Sequence, residues 1–192
     1  MKKIIVSILI ISSYCFSQTG ILTEKGRSAM GLWGGFGRTI DCSDCDVAYS
    51  LNFDYMANFG LEVGVGAGKV GETDTKRVKL LYHLKGANSS NNVAFGLAKS
   101  RASQSGISLD ANTLAIAFYN DTGFLFEIDK IDIPDLGLDD EVLTFGNYWK
   151  GQTVSWGIAY SASWDLFDAM IEDGDLEYLK YGTLTVSIGG VF

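Results

Sequence analysis

One histidine, three cysteines and a scatter of acids and lysines are the residues with which this 192-residue chain could do chemistry. His83 stands between Lys79 and Lys85 in the run VKLLYHLKG. An imidazole becomes a catalytic base when a nucleophile and an orienting acid converge on it. No G-x-S-x-G elbow is present, and no serine stands beside His83 in sequence. The expectation is therefore a non-enzymatic protein, with a hydrolase using His83 as the alternative, since distant residues can assemble a site. Cys42 and Cys45, in DCSDCD, have C-x-x-C spacing, which serves redox work or half a zinc site. A second pair is lacking, and with His83 the set reaches at most three soft ligands. Asp41, Asp44 and Asp46 surround the thiols with negative charge, which disfavours the thiolate that either chemistry needs. A small disulfide clipping an exposed loop is expected, with a metal-binding loop as the alternative. No cofactor is implied.

The elements that must position these groups read as strands. In VAYSLNFDYMANF, Val47, Tyr49, Leu51, Phe53 and Tyr55 share one side, while Ser50, Asn52 and Asp54 share the other. Apolar residues at every second position mark a strand with two unlike faces. The pattern returns in LEVGVGAGK with Glu62 and three glycines opposite the apolar row, and in VKLLYHLKG with Lys79, His83 and Lys85 opposite. It returns again in NVAFGLAKS, TLAIAFY, FLFEIDK with Glu127 and Asp129 opposite, TVSWGIAY and TLTVSIGGVF. AMGLWGGFG and EVLTFGNYW are weaker runs, so the count is eight to ten strands, with ten favoured. Tight joints fall at Asn58–Gly60, NSSNN, NDTG and KGQ. CSDC, GETDTK, RASQSG, IPDLGLDDE and 164–180 read as longer connections, so short and long ones alternate as in an up-and-down meander. Gly64, Gly66 and Gly68 would make room for bulky side chains opposite.

Export is the next inference. MKK followed by IIVSILIIS and CFSQ has the layout of a signal peptide, with the cut expected after Ser17. A retained anchor would need about 18 apolar residues. Tyr14 argues against lipid attachment at Cys15, because lipoprotein signals resemble one another in having a small residue there. What remains, 18–192, is a single domain. The formal charge is −8 and loses Lys2 and Lys3 with the leader, which excludes a nucleic-acid partner. Strands cross a bilayer at about 9–11 residues each, provided that the sheet closes on itself. A transmembrane barrel turns its apolar rows to lipid and encloses Asp54, Glu62, Lys79, His83, Lys85, Glu127 and Asp129, with Tyr49, Tyr55, Tyr82, Tyr119 and Tyr160 at the interfaces. A secreted soluble barrel, the alternative fold, would do the reverse.

The leader, the alternation and the last strand, Leu184-x-Val186-x-Ile188-x-Gly190-x-Phe192, together resemble small bacterial outer-membrane β-barrel proteins. That resemblance implies an all-β, up-and-down antiparallel transmembrane barrel in the outer membrane, porin-like in architecture. It implies outer-membrane lipids as partners and a terminal signal, Leu184, Val186, Ile188 and Phe192, read by the barrel-assembly machinery. Family members usually carry a larger apolar residue where this chain has Gly190. A structural or surface-interaction role is expected first, binding or passage of a small, apolar solute second, and a lipid-modifying enzyme or protease third. SASWDLFDAMIEDGD interrupts the strands with a short helix, Ser163 capping it and Gly174 stopping it. Leu166, Phe167, Met170 and Ile171 share one face, which would cover the barrel mouth or rest at the membrane surface.

Overall fold

The computed structural model describes residues 28–42, 45–87 and 91–192. The expected signal peptide, 1–17, lies outside the described residues. Ten strands follow one another: β1 (Ala29–Thr39), β2 (Ala48–Met56), β3 (Leu61–Val70), β4 (Thr73–His83), β5 (Asn92–Gln104), β6 (Ile107–Tyr119), β7 (Phe124–Ile133), β8 (Leu138–Trp149), β9 (Ser155–Ser163) and β10 (Thr183–Val191). Each pairs antiparallel with its neighbours in sequence, and β1 pairs with β10. The register at that seam runs from Gly31↔Val191 to Thr39↔Thr183. Beyond it, Met30 and Phe192 exchange backbone hydrogen bonds of 3.0 and 2.8 Å. The sheet is thus a closed up-and-down barrel with no free edge to cap.

Both weak runs are strands. In β1 the even rhythm survives its glycines: Met30, Leu32 and Phe36 point out, while Trp33 points in between Gly31 and Gly35. Gly189 on β10 takes the approach of the Trp33 ring, where a Cβ would overlap it. A small residue on one strand and a large one on the next is how a narrow interior fills.

The connections differ from the expected alternation. GETDTK and RASQSG are mostly strand, not loop: β3 and β4 meet across Gly71 and Glu72, β5 and β6 across Ser105 and Gly106. Ser105 and Gly106 carry the positive φ values, 50° and 82°, of a two-residue hairpin turn. These segments read as loops because both of their rows are polar. Thr73, Thr75 and Arg77 face in, and Asp74 and Lys76 face out. IPDLGLDDE likewise contributes a single 3-10 turn, Pro134–Leu136, before β8 begins. Of the connections expected to be long, 40–47 and 164–182 remain so, whereas the NSSNN joint, expected to be tight, belongs to a connection over 84–91 as long as the first.

Segment 164–182 holds the expected helix, α1 (Trp164–Asp173), followed by a 3-10 helix over Leu176–Tyr181. Ser163 occupies the N-cap position, although its side chain makes no capping hydrogen bond. Gly174, with φ at 65°, ends the helix in the left-handed conformation that glycine adopts without steric cost. No helix among the described residues is long and apolar enough to cross a membrane, which says nothing about crossing by strands.

Candidate functional site

The interior of the barrel is layered. At the end where β1 begins and β10 finishes, Trp33, Met56, Ala94, Ala117, Tyr119, Leu125 and Tyr148 form an apolar plug. Ala102, Leu109, Ala111, Ile131, Ile133 and Val142 form a second apolar cluster on the neighbouring strands β5 to β8, toward the opposite end. Ionisable side chains occupy the space between, because β2, β3, β4 and β7 each send a polar residue inward there.

Lys79 on β4 is the hub. Its Nζ lies 2.6 Å from Glu62 Oε1 and 2.9 Å from Asp54 Oδ1, with all three side chains at most 5% exposed. His83, two pleat repeats further along β4, is fully buried. Its Nε2 is 2.9 Å from Glu62 Oε2, and its Nδ1 shares a 2.6 Å hydrogen bond with the Tyr119 hydroxyl. Across the interior, the buried Arg77 guanidinium attracts the buried carboxyl groups of Asp129 and Glu127. Burying charge is costly unless partners are present, and here opposite signs are gathered into one layer. The other flank is neutral: Thr144 and Ser161 share a 2.8 Å hydrogen bond, and Thr185 donates to the Ala159 carbonyl at 3.2 Å.

The glycine row of β3 makes this layer possible. A Cβ at Gly64 would strike Asp54 Oδ1 and the Lys79 stem, and one at Gly66 would strike Asn52 Oδ1. Beside these glycines a cavity of about 10 Å³ remains, lined by Asn52, Asp54, Arg77 and Lys79. That is the space of one water molecule.

Six of the seven residues expected in the interior are there: Asp54, Glu62, Lys79, His83, Glu127 and Asp129. Lys85 is not. β4 ends at His83, so Lys85 falls in the following turn, where it is exposed and its amide donates to Asn92 Oδ1. Tyr119 also departs from expectation. Because Phe118 points out, the two-residue period turns Tyr119 inward to His83, away from the interface. Arg77 and Trp33 were not singled out from sequence. The parity that places Lys79 inward would have found Arg77 two residues earlier. Among the described residues no group of three or more His, Cys, Asp or Glu side chains is arranged to hold a metal ion. Cys42 and Cys45 are bonded to each other, with a Cα–Cα separation of 5.2 Å in the usual range for a disulfide.

The exterior is the inverse of a soluble barrel. Leu51, Val65, Leu97, Ile116 and Ile188 are about half or more exposed, while Asp54, Glu62, Lys79, Glu127 and Asp129 are inside. Leu184, Val186 and Ile188 belong to this outward row, and Phe192 at its end is 77% exposed. Toward the end where β1 begins and β10 finishes, the row ends in aromatics, including Trp149 and Trp156 stacked at 4.0 Å and the edge-to-face pair Tyr82–Phe95. Toward the other end it gives way to outward charges: Lys99 and Arg101 both meet Asp110, and Lys130 meets Asp139. α1 lies against this outer wall and not over the mouth. Phe167 packs edge-on to Phe145 of β8 and Tyr160 of β9, and outward-pointing Leu143 and Ala162 are buried.

Set against known proteins, the chain matches no family model and no curated sequence.

Proposed function

We propose that this chain is an integral protein of a bacterial outer membrane, exported by its N-terminal segment, with a structural or surface-interaction role and no enzymatic activity. One observation carries the reading: a continuous exterior of exposed Val, Leu, Ile and Phe around an interior of ion pairs. Large contiguous apolar surface is not left in water by soluble monomers, and a closed sheet is the only strand arrangement that hydrocarbon tolerates. The aromatic and charged rims at the two ends of the apolar rows fit the borders of a hydrocarbon layer. Outer-membrane lipids are then the immediate partners. The terminal row Leu184, Val186, Ile188 and Phe192 would be what the assembly machinery engages.

A filled interior favours a structural role over transport. Two apolar clusters with an ionic layer between them support this reading. His83 has no exposed atom with which to meet a substrate, which argues against the hydrolase alternative. Passage or binding of a small solute is the second reading, and single-channel recording separates it: the first reading expects almost no conductance. Fractionation tests the location. The protein should enter the outer membrane and run on a denaturing gel at a different apparent size before and after boiling. A protein found soluble in the periplasm or medium would overturn the proposal.

A further inference from the structure

Around α1 the side chains divide into three sectors, where two would be enough for a helix resting on a soluble domain. Leu166, Phe167 and Met170 are half-buried toward the barrel, where Phe167 meets Phe145 and Tyr160. Asp165, Asp168, Glu172 and Asp173 fill the opposite sector and are exposed. Between them, Trp164 and Ile171 stand two turns apart on one edge, 47% and 71% exposed. Beyond Gly174 further apolar side chains are exposed, Leu176 at 70% and Tyr181 at 51%. That segment is held in place by the Tyr160 hydroxyl, which donates to the Leu179 carbonyl at 2.9 Å, and by Lys180, paired with Glu177 at 3.1 Å and Asp41 at 3.7 Å.

We propose that α1 and the 3-10 helix after it form an interfacial element of the barrel, their exposed Trp164, Ile171 and Leu176 buried in the lipid leaflet at the long-loop end. The inference rests on the membrane reading above and assigns the loop a partner that reading does not. Continuity carries it. The wall on which α1 lies is the apolar exterior itself, so the free edge of the helix prolongs that surface sideways at the height of Phe145 and Tyr160. An amphipathic helix with an apolar sector and a strongly charged one lies flat at the boundary of headgroups and acyl chains, about 5–10 Å deep. Here the acids point away from the wall toward water, and tryptophan takes the position that interfaces favour. Docking onto the wall within lipid brings no hydrophobic gain, since the wall is already in hydrocarbon. The apolar edge is therefore explained by contact with lipid and not by the packing of α1 against the barrel.

The test uses single cysteines labelled with pyrene in protein purified without reductant, so that the Cys42–Cys45 bond stays closed. Wild-type protein sets the background labelling, and the boiled and unboiled gel bands verify folding. Ile171→Cys is compared with Leu51→Cys on the exposed row of β2 and with Glu72→Cys in the β3–β4 turn. Each is reconstituted into vesicles whose lipids carry a nitroxide either near the glycerol or near the chain end. Position 171 should lose emission with the shallow nitroxide and much less with the deep one; position 51 should lose emission in both, and position 72 in neither. Quenching at 51 without quenching at 171 overturns the interfacial assignment and leaves the membrane reading standing. Excimer emission from labelled 171 in place of quenching means that a second copy of the chain covers the edge, and also overturns it. Loss of quenching at 51 itself removes the membrane reading and this inference together.

Discussion

Replacing Lys79 by methionine asks whether the interior is held by its ions. The substitution preserves most of the side-chain volume, so no large cavity confuses the result. It removes the ammonium that sits 2.6 Å from Glu62 and 2.9 Å from Asp54 in a site with at most 5% exposure. Withdrawing one partner from a buried ion pair costs about 3–5 kcal/mol, because the remaining charge stays desolvated. Glu62 keeps His83 at 2.9 Å, which limits its share, so Asp54 bears most of the loss. The expected destabilisation is therefore about 3 kcal/mol, close to a hundredfold in the folding equilibrium. A barrel with an ordinary reserve of about 5–15 kcal/mol survives this but unfolds at lower urea. Unfolding in detergent micelles, followed by circular dichroism and by the unboiled gel band, measures the shift. Adding Asp54→Asn and Glu62→Gln to Lys79→Met should recover most of the loss, since no naked charge remains. Lys99→Met is the control: Lys99 is exposed and meets Asp110 at 3.5 Å, an arrangement worth about 0–1 kcal/mol. If Lys79→Met costs no more than Lys99→Met, the ionic layer does not stabilise the barrel as argued.

Phe192→Ser should leave refolding into detergent nearly unchanged, because the ring is 77% exposed, while lowering the amount of protein reaching the outer membrane in cells. Equal abundance by immunoblot of membrane fractions would count against a terminal signal. Gly64→Ala should destabilise by about 1–3 kcal/mol in the same urea assay, since its Cβ meets both Asp54 and the Lys79 stem. Gly106→Ala meets nothing within contact distance and is strained only by its φ of 82°, so its cost should be smaller. Cys42→Ser with Cys45→Ser should still fold, losing at most about 2 kcal/mol of chain-entropy stabilisation. Thiol labelling of unreduced wild-type protein should find neither cysteine free, and labelling at either would refute the disulfide.

Parity was the strongest signal in the sequence. Wherever one row was apolar and the other polar or glycine, as in 47–56, 61–70 and 124–129, the faces and the interior ions were legible before any coordinates. Where both rows were polar, as in 73–77, the same period was present but hidden, and Arg77 was lost with it. Tyr119 was misplaced by composition: an aromatic at a strand end suggested an interface, whereas its position next to outward Phe118 required the interior. Lys85 failed for another reason, since nothing in HLKG marks the residue at which pairing stops. The partnership of His83 with Glu62 and Tyr119 was not legible, because it depends on the stagger between strands β3, β4 and β6, which no single run encodes.

The seam between β1 and β10 joins residues farther apart in sequence than any other pair of strands, with Gly31 opposite Val191. Bringing such distant ends together carries the largest loop-closure entropy in the molecule. Yet the inward positions along it are Ala29, Gly31, Trp33, Gly35 and Gly37 on one side and Thr183, Thr185, Ser187 and Gly189 on the other. Zipping these strands together transfers no formal charge out of water. All the costly desolvation belongs to β2, β3, β4 and β7, whose ions find their partners through shorter stretches of chain. The pairing that spans the longest stretch of chain thus lies on the neutral side of the cylinder, and the entropic and electrostatic burdens of assembly fall on different parts of the wall.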